Sequence, residues 1–366
     1  LTVNHQTNDI SNATGTILVN GVAVGGDNTP TPAVGNRAIV AGSNGTSNVI
    51  QYFDISSTGN AIDFGDLVAG RSYMTVCSNI TRALFAGGRV SSTFKDDIEY
   101  VTISTTGNAQ DFGDLTVARQ GLGSASNKTR ATFAAGYDGS ALSNVIDYVT
   151  VDTTGNAQDF GDLTVVRQFQ PAGVATSGRG VFAGGSSDVI DYITIATTGD
   201  ATDFGDLPAS SSDMSGWSSS TRGIFHLAAS GGITNTLHYI TILTAGNSTD
   251  FGDLNSNKLS AGACGSTTRA IFAGGRTDAG GNPPVNTMDY ITMDTTGNAT
   301  DFGDLTISRY GPSGSSNATR GVFAGGYAGT TYYNTIDYVT IASTGNATDF
   351  GDVAFDSFLL AGASGQ

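Results

Sequence analysis

Short stretches of apolar and alternating residues, separated by turn residues, follow one another along the chain. From residue 121 to 163 they are a small-residue stretch GLGSAS, an apolar stretch RATFAAGY, an alternating stretch VIDYVTVDT and a last stretch AQDFGDL. The polar runs NKT, DGSALSN and TGNA stand between them, and runs of this composition are typical of turns. No sustained apolar period of 3.6 residues indicates a helix. The segment therefore predicts four consecutive strands.

The same order of stretches recurs along the chain. The string DFGD, followed by Leu or Val, begins at positions 63, 111, 159, 203, 250, 301 and 349, with spacings of 48, 48, 44, 47, 51 and 48 residues. A period in this range is typical of propellers and solenoids. Four antiparallel strands make one propeller blade. The sequence predicts an all-β, seven-bladed β-propeller with four-stranded antiparallel blades.

Both ends of the chain fit a closed ring. The stretch TPTPAVGN before Arg37 reads as a linker, so the first blade lacks its small-residue strand. The tail AFDSFLLAGASGQ (354–366) resembles the stretch ISRYGPSGSSNAT that precedes Arg320. We expect this C-terminal strand to pair into the first blade, which would remove the free edges of an open array. The propeller is expected to span 34–366.

Residues 1–33 are expected to form a separate N-terminal arm. The string ILVNGVAV (17–24) consists of two apolar stretches around Asn-Gly, a strong hairpin signal, and GGDNTPTPAVG reads as a linker. A hairpin of this size is marginally stable alone. We therefore expect the arm to pack on the propeller or on a partner protein.

An Arg begins the second strand of every repeat. The seven residues are Arg37, Arg82, Arg130, Arg179, Arg222, Arg269 and Arg320. Each repeat also carries the two Asp residues of DFGD, for example Asp111 with Asp114 and Asp159 with Asp162. We expect a repeated ion pair, or a repeated Arg hydrogen bond to the backbone, because a guanidinium satisfies several acceptors at once. Convergence of the seven Arg residues on an anionic ligand in the axial channel is the alternative.

The two most repeated strings predict local structure. Gly155-Asn156 in TGNA predicts a two-residue hairpin turn between the third and fourth strands. In DFGD the Gly permits a bulge or a sharp exit, and the Asp can accept a hydrogen bond from a nearby backbone N–H group.

The charge balance excludes some classes of protein. The chain has 32 acidic against 16 basic residues, a net charge of −16, and every acidic residue except Glu99 is Asp. Nucleic-acid binding needs basic surfaces, so we expect no nucleic-acid partner. No run of 18 apolar residues is present, so we expect no membrane insertion. Cys77 and Cys264 occupy equivalent positions of separate blades and are expected to be buried thiols, too far apart for a disulfide.

Several strings resemble the kelch repeat. An apolar strand ends in a Gly pair, as in LFAGG (84–88) and VFAGG (322–326), and after a loop comes a string such as IDYVTI (336–341). The kelch Tyr is matched by six residues: Tyr100, Tyr148, Tyr192, Tyr239, Tyr290 and Tyr338. The Phe of DFGD stands where the family usually has Trp, so residues 37–366 resemble a kelch-like variant. This resemblance also implies a propeller.

The sequence TRGVFAGG…NTIDYVTIASTGNATDFGD is similar to repeat proteins of marine tailed bacteriophages, which are regarded as virion or tail components. The resemblance implies a virion-associated, extracellular structural or adhesion protein. Its partners would be other virion or filament proteins, held through the N-terminal arm, and a host-surface receptor or glycan. The alternative is an assembly or decoration protein of a capsid, tail or extracellular filament that binds no receptor.

One end of the expected ring carries the variable loops. In a four-stranded meander, the loops between second and third strands emerge at the same end as the connections between blades. These loops range from SSDV (186–189) to RTDAGGNPPVNT (276–287), and variable loops on a rigid scaffold often bind ligands. The candidate binding residues there are Arg89, Tyr137, Arg276, Tyr327, Tyr332 and Tyr333. Such side chains anchor interfaces and stack on sugars, although ordinary loop decoration is the alternative.

The connections between blades contain four further Arg residues, Arg71, Arg119, Arg167 and Arg309. We expect them to join neighbouring blades. Trp217 and His226 stand where other repeats have small residues. They indicate either a ligand pocket near the axis or a packing substitution.

Catalytic motifs are missing from the sequence. The histidines are His5, His226 and His238, and there is no HExxH, no GxSxG, no Walker loop and no Cys/His metal spacing. Asp pairs that recur seven times indicate a structural role, because an enzyme needs one asymmetric site. We therefore expect a non-enzymatic protein with no cofactor and no metal, and leave calcium at the repeated Asp residues as an alternative.

Overall fold

Seven antiparallel sheets are arranged around one axis as a β-propeller. The structure is a computed structural model that describes residues 2–4, 9–11, 18–19, 22–23, 36–42, 47–167, 172–176, 178–212, 214–227, 232–277, 283–357 and 361–364. The all-β class, the seven blades and their four-stranded antiparallel order, all expected from the sequence, are confirmed.

Each blade has four main strands, called A to D from the axis outward. In that order blade 1 has β35 (Ala361–Ser364), β5 (Arg37–Ala41), β6 (Val49–Asp54) and β7 (Ile62–Asp66). Blade 2 has β8 (Thr75–Ser78), β9 (Arg82–Ala86), β12 (Asp97–Thr102) and β13 (Gln110–Asp114). Blade 3 has β14 (Gly123–Ser126), β15 (Arg130–Ala134), β16 (Ser143–Thr150) and β17 (Gln158–Arg167). Blade 4 has β18 (Ala172–Ala175), β19 (Arg179–Ala183), β20 (Ser187–Thr194) and β21 (Thr202–Ser211).

The remaining blades follow the same order. Blade 5 has β22 (Ser215–Ser218), β23 (Arg222–His226), β24 (Thr234–Thr241) and β25 (Thr249–Lys258). Blade 6 has β26 (Gly262–Gly265), β27 (Arg269–Ala273), β28 (Thr287–Thr292) and β29 (Thr300–Asp304). Blade 7 has β30 (Ser313–Ser316), β31 (Arg320–Ala324), β33 (Thr331–Thr340) and β34 (Thr348–Ser357). Two loops add short strands, β10 (Arg89–Val90) with β11 (Thr93–Phe94), and β32 (Tyr327–Ala328).

The C-terminal strand closes the ring. β35 pairs with β5 in antiparallel register, from Ala361 opposite Ala41 to Ser364 opposite Ala38. It also lies beside the innermost strands of blades 7 and 2, β30 and β8. The closure expected from the tail sequence is therefore confirmed, and blade 1 is built from both ends of the chain.

The hydrophobic core is divided among the seven boundaries between blades. At the boundary of blades 2 and 3, Leu84 and Phe112 pack with Phe133 and Val149, and all four side chains are buried. Both faces of a blade are thus covered by its neighbours, which explains why the third strands carry apolar residues on both sides.

DFGD forms a β-bulge at the outer edge of each blade. In blade 3, Ile146 pairs with Gly161 and Asp147 pairs with Asp159, so Phe160 is an extra residue in the outer strand. The Oδ1 atom of Asp159 accepts a hydrogen bond of 3.0 Å from the N–H of Gly161. The bulge and the Asp acceptor that the sequence indicates are both present here, and the same register shift occurs in all seven blades.

TGNA is not the two-residue hairpin turn that its sequence indicated. In blade 3 the last pair of the third and fourth strands is Tyr148 with Gln158, so the connection is much longer than two residues. Gly155 and Asn156 instead bind the outer strand of blade 2. The N–H of Gly155 donates to the carbonyl of Phe112 (2.7 Å), and the Asn156 Oδ1 accepts from the N–H of Asp114 (3.2 Å).

The contact between TGNA and DFGD is repeated at every blade boundary, including that between blades 7 and 1. It requires glycine. Gly113 has φ of 140°, and a Cβ atom there would lie 2.5 Å from the carbonyl carbon and oxygen of Gly155. The two repeated strings therefore form the two sides of one contact, in which each DFGD is hydrogen-bonded to the TGNA connection of the next blade.

Four short strands lie N-terminal to the ring: β1 (Thr2–Asn4), β2 (Asp9–Ser11), β3 (Leu18–Val19) and β4 (Val22–Ala23). β3 pairs with β4, Leu18 opposite Ala23 and Val19 opposite Val22, which are the two stretches that flank Asn-Gly in the sequence. The linker before the ring falls outside the described residues, apart from Asn36 at its end. The division into an arm of 1–33 and a ring of 34–366 stays a prediction.

Both cysteines are free and buried, as expected from their equivalent positions in blades 2 and 6. Within the described part of the chain, no helix is long and apolar enough to cross a membrane.

Candidate functional site

The ring has two unlike ends. One end, here called the loop face, carries the loops between strands B and C and the connections between blades, for example 87–97 and 115–122. The other end, the turn face, carries the loops from A to B and from C to D, for example 79–81 and 103–109. All six candidate binding residues of the sequence belong to the loop-face segments.

A buried cation anchors the connection that enters five of the blades. The side chains of Arg71, Arg119, Arg167, Lys258 and Arg309 are fully buried. Each forms an ion pair with an acidic residue of strand C of the blade that follows, Glu99, Asp147, Asp191, Asp289 and Asp337 respectively. Burial lowers the pKa of each cation, and the nearby carboxylate opposes that shift. The four Arg residues thus join neighbouring blades, the role that we expected for them.

The buried guanidinium also binds the backbone. Arg119 donates to the carbonyl oxygens of Phe133 (3.2 Å), Ala135 (3.1 Å) and Val145 (2.7 Å), in addition to the Asp147 carboxylate (2.6 Å). One side chain therefore fixes the connection from blade 2 to strands B and C of blade 3.

Two blades lack both members of this ion pair. At the cation position blades 5 and 1 have Ser211 and Ser357, and at the acid position they have His238 and Gln51. Cation and acid are lost together, because either charge alone would be buried without its partner. The acidic partner was not predicted, although the residue before each repeated Tyr changes together with the residue five positions after DFGD, which is a signal of it in the sequence.

The anchored connections position particular residues of the loop face. The residue after the buried cation makes two backbone hydrogen bonds of 2.9–3.0 Å with the residue after the Gly pair. The four pairs are Ser72 with Arg89, Gln120 with Tyr137, Leu259 with Arg276 and Tyr310 with Tyr327. Four of the candidate residues are therefore equivalent positions in blades 2, 3, 6 and 7.

Three tyrosines and one Arg meet at the boundary of blades 6 and 7, here called the 6–7 cluster. The guanidinium carbon of Arg276 lies 5.1 Å from the ring centroid of Tyr310. The Tyr310 and Tyr327 rings meet edge to face at 5.2 Å, and the Tyr327 and Tyr332 rings lie 4.8 Å apart. All four side chains are partly exposed. Tyr310, which the sequence analysis did not select, belongs to the same group.

A second group, the 2–3 cluster, lies on the same face at blades 2 and 3. The guanidinium carbon of Arg89 lies 4.9 Å from the Tyr73 ring centroid, and Phe94 meets Tyr137 edge to face at 5.6 Å. The Tyr137 hydroxyl donates to the carbonyl of Gly139 at 2.8 Å. Five of the six candidate residues are thus divided between two clusters.

Tyr333 does not share the side of Tyr332. The third strand of blade 7, β33, begins at Thr331, so the two tyrosines are successive strand residues and point to opposite sides. Tyr333 contributes to the electrostatic surroundings of the buried Arg309. It therefore lies outside the 6–7 cluster.

The seven repeated Arg residues bind the backbone and an aromatic ring, not the DFGD carboxylates. Each donates from Nη1 to a main-chain carbonyl just after strand C of the next blade, at 2.8–3.1 Å. Each also lies 4.1–4.5 Å from the centroid of the repeated Tyr of its own blade. Among the described residues, ion pairs are formed by other cations. Of the two structural roles expected for the repeated Arg, an ion pair or a backbone hydrogen bond, the structure shows the backbone hydrogen bond.

The DFGD strings bind groups other than the repeated Arg residues. The Asp159 carboxylate accepts from the N–H of Gly161, while the backbone N–H groups of Asp114 and Asp162 donate to the side chains of Asn156 and Asp200 of the next blade. Of the two structural roles expected for the repeated Arg, the ion pair with Asp111, Asp114, Asp159 or Asp162 is not formed among the described residues.

Trp217 and His226 fill space between blades 5 and 6. The Trp217 Nε1–H donates to the carbonyl of Ser266 at 3.0 Å. His226 is fully buried, with its Nε2 atom 3.2 Å from the carbonyl oxygen of Thr234 and its Nδ1 atom 3.5 Å from the Ser215 hydroxyl. Burial lowers the pKa of His226 to about 4. These contacts support the packing interpretation.

Within the residues that the structure describes, no three His, Cys, Asp or Glu side chains come together in a group that could hold a metal ion. His238 is largely buried against Ser248, which lowers its pKa, and His5 lies outside the described residues. The chemistry that the loop face offers is stacking, cation–π contact and hydrogen bonding.

No sequence model of a known protein family matches the chain, and no curated protein matches it. The seven-bladed β-propeller is therefore the level at which the chain is classified.

Proposed function

We propose that this protein is a non-enzymatic adhesion component of a virion, whose loop face binds a receptor, preferably a glycan, on the surface of a host cell. The observation that carries this proposal is the pair of aromatic and Arg clusters on the loop face. Partly exposed Tyr side chains next to Arg are the usual anchors of protein recognition, and aromatic faces stack on sugar rings. The similarity to repeat proteins of tailed-phage virions suggests where such a protein would act.

The construction of the face supports a binding role. Two backbone hydrogen bonds and a buried ion pair hold each presenting position, so little ordering is needed when a ligand binds. The loops themselves differ in length from blade to blade, while the frame beneath them is repeated. This combination is typical of scaffolds that present variable binding loops.

Binding of the purified protein to a panel of bacterial strains tests the proposal. In one variant the loop 276–287 is replaced by the short SSDV loop of blade 4, and the loops 89–97 and 327–335 are replaced in the same way. We expect the fluorescently labelled variant to lose cell binding while its thermal unfolding is retained. The matched control carries Ile80→Ser and Lys128→Ser, two exposed substitutions on the turn face. Unchanged binding of the loop variant would exclude the loop face as the adhesion surface.

A second function is favoured by the turn face. Seven near-identical connections from C to D present the same exposed residues around the ring, as a partner in a regular assembly would require. In this alternative the protein decorates or stabilises a capsid, tail or extracellular filament without binding a receptor. Removal of residues 1–33 would then prevent incorporation into particles, and cell binding would be unaffected by the loop variant.

A further inference from the structure

We propose that the two loop-face clusters are subsites for an acidic polysaccharide, whose sugar rings stack on the Tyr side chains and whose carboxylate or sulfate groups pair with Arg276 and Arg89. This inference rests on the proposed binding function of the loop face and names its ligand class. The 6–7 cluster is the stronger subsite, and the 2–3 cluster is the weaker one.

The first observation is how the cations of the chain are used. Of its 16 Lys and Arg residues, six form ion pairs with acidic side chains and seven are the repeated Arg residues bound to carbonyl oxygens. The other three are Arg89, Lys128 and Arg276, and none of them forms an ion pair with a described acidic residue. Acidic residues outnumber basic ones two to one, yet no described acidic residue pairs with either loop-face Arg, which leaves both cations able to face an external anion.

The second observation is that the two Arg residues are equivalent. Arg89 and Arg276 both follow the Gly pair at the end of strand B, in blades 2 and 6. In each case the next blade carries a Tyr at the same position, Tyr137 or Tyr327. The aromatic partners differ, since Arg276 lies over Tyr310 of the connection into the next blade and Arg89 lies over Tyr73 of the connection into its own blade, while Tyr137 meets Phe94 of the Arg89 loop.

The third observation concerns where each guanidinium lies. Arg276 lies over Tyr310, and Arg89 lies over Tyr73. A guanidinium over an aromatic ring keeps its N–H groups at its edge, where they can bind a carboxylate or sulfate through two hydrogen bonds. A pyranose next to that anion would meet the partly exposed ring of Tyr327 or Tyr137.

The two subsites differ in the described acidic groups around them and in their Tyr hydroxyls, while Asp278 of the Arg276 loop lies outside the described residues. Around the 2–3 cluster, Asp97 pairs with Lys95 at 2.9 Å, and Asp138 accepts the N–H groups of Ser140 and Ala141 at 2.7 Å. Asp96 is exposed on the same loop as Arg89 and will repel an anion. The 6–7 cluster also offers one more Tyr hydroxyl, so we expect the polymer to bind there more tightly.

The test measures binding of the full chain, captured through its N-terminus, to two matched pairs of polymers by biolayer interferometry. Polygalacturonate is compared with its neutral methyl ester, and dextran sulfate with dextran, so charge is the variable within each pair. The variants are Arg276→Gln, Arg89→Gln and the double variant. Lys128→Gln changes the third cation that pairs with no described acidic residue, is exposed on the turn face and is the control.

We expect the acidic polymers to bind and the neutral ones to bind at least about tenfold more weakly, which corresponds to about 1.4 kcal/mol. Arg276→Gln should weaken binding about tenfold, and Arg89→Gln about threefold, because a charge-assisted pair is lost. The double variant should lose more than the product of both, since a long chain that engages both subsites gains from multivalency. Preference for polygalacturonate or for dextran sulfate would identify a carboxylate or a sulfate as the bound group.

Other results would overturn the inference. Equal binding of charged and neutral polymers would show that the loop face does not recognise the charge of the polymer. Arg variants that bind as well as Lys128→Gln would show the same. In either case the cell-binding assay above would still report on the proposed function. No binding of any polymer would also overturn it, and the cell-binding assay would then show separately whether the proposed function survives.

Discussion

Removing one member of a buried ion pair should be far more harmful than replacing both members. Arg119 and Asp147 are both fully buried, 2.6 Å apart, at the entry to blade 3. Blade 1 contains the natural alternative, Ser357 with Gln51, in which the Gln51 Oε1 atom accepts a hydrogen bond of 2.6 Å from the N–H of Ala354. The substitutions are therefore Arg119→Ser, Asp147→Gln and both together.

The structure gives the expected magnitudes. In Arg119→Ser the Asp147 carboxylate keeps two hydrogen bonds from Thr116, one from Oγ1 at 2.5 Å and one from the N–H at 3.3 Å, but it loses its buried cation. Three carbonyl oxygens lose a donor as well. An uncompensated buried charge costs about 3–5 kcal/mol of unfolding free energy. The double variant keeps the Thr116 contacts to a neutral acceptor, and we expect it to lose about 1–2 kcal/mol.

Urea unfolding of the four proteins, followed by circular dichroism and by Trp217 fluorescence, gives the coupling free energy of the pair. We expect both single variants to be less stable than the double variant, with a coupling of at least about 2 kcal/mol. Additive losses, with the double variant the least stable, would refute the view that cation and acid are retained or lost as a unit.

Three further changes test other parts of the structure. Gly113→Ala should lower the unfolding free energy by about 3 kcal/mol, because the new Cβ atom would clash with Gly155. The Cβ atom of Gly155→Ala would meet no atom within 4 Å, so this variant should lose about 1 kcal/mol from its positive φ alone. Equal losses of the two variants in thermal melts would contradict the contact. The pKa of His226 is about 4 in the folded protein and about 6.5 in the unfolded chain. Its contribution to the free energy of unfolding, about 3 kcal/mol, is therefore present above pH 6.5 and is lost as the pH falls toward 4. Urea midpoints of His226→Ala should therefore depend less on pH in this window than those of the wild type, and identical slopes would show that His226 does not titrate differently on folding. A chain that ends at residue 357 lacks β35, so hydrogen exchange of strand β5 should rise to the level of an exposed edge; continued protection would show that β35 does not close the ring.

The repeat was sufficient to predict the ring, its closure and the face that carries the variable loops. Seven copies of one string indicate seven blades, and the tail could be matched to the strand that the first blade lacks. The position after the Gly pair was also recognisable, because Arg89, Tyr137, Arg276 and Tyr327 occupy it in different blades. Tyr333 belongs to the same segment but lies outside the 6–7 cluster, because strand β33 extends to Thr331 and its alternation turns successive residues to opposite sides.

The partners of the repeated residues could not be derived from one repeat. TGNA meets DFGD across a blade boundary, and so does each repeated Arg with its carbonyl acceptor. A string interpreted within one blade therefore suggests the wrong partner, as it did for Gly155-Asn156. The buried ion pairs were missed for the same reason, although the joint change to Ser211 and His238 in blade 5 is a trace of them in the sequence.

The contact of TGNA with DFGD is the same at all seven boundaries, and this has a consequence for how such a chain can evolve. A repeat copied, exchanged or moved within the gene carries a Gly-Asn connection, or Gly-Asp in blade 4, on one side and the same DFGD on the other, so it can form this contact with any neighbouring repeat. The loop carried between its Gly pair and its third strand arrives with it. Recombination between repeats can therefore assemble new combinations of surface loops, while every junction between blades keeps the same contact.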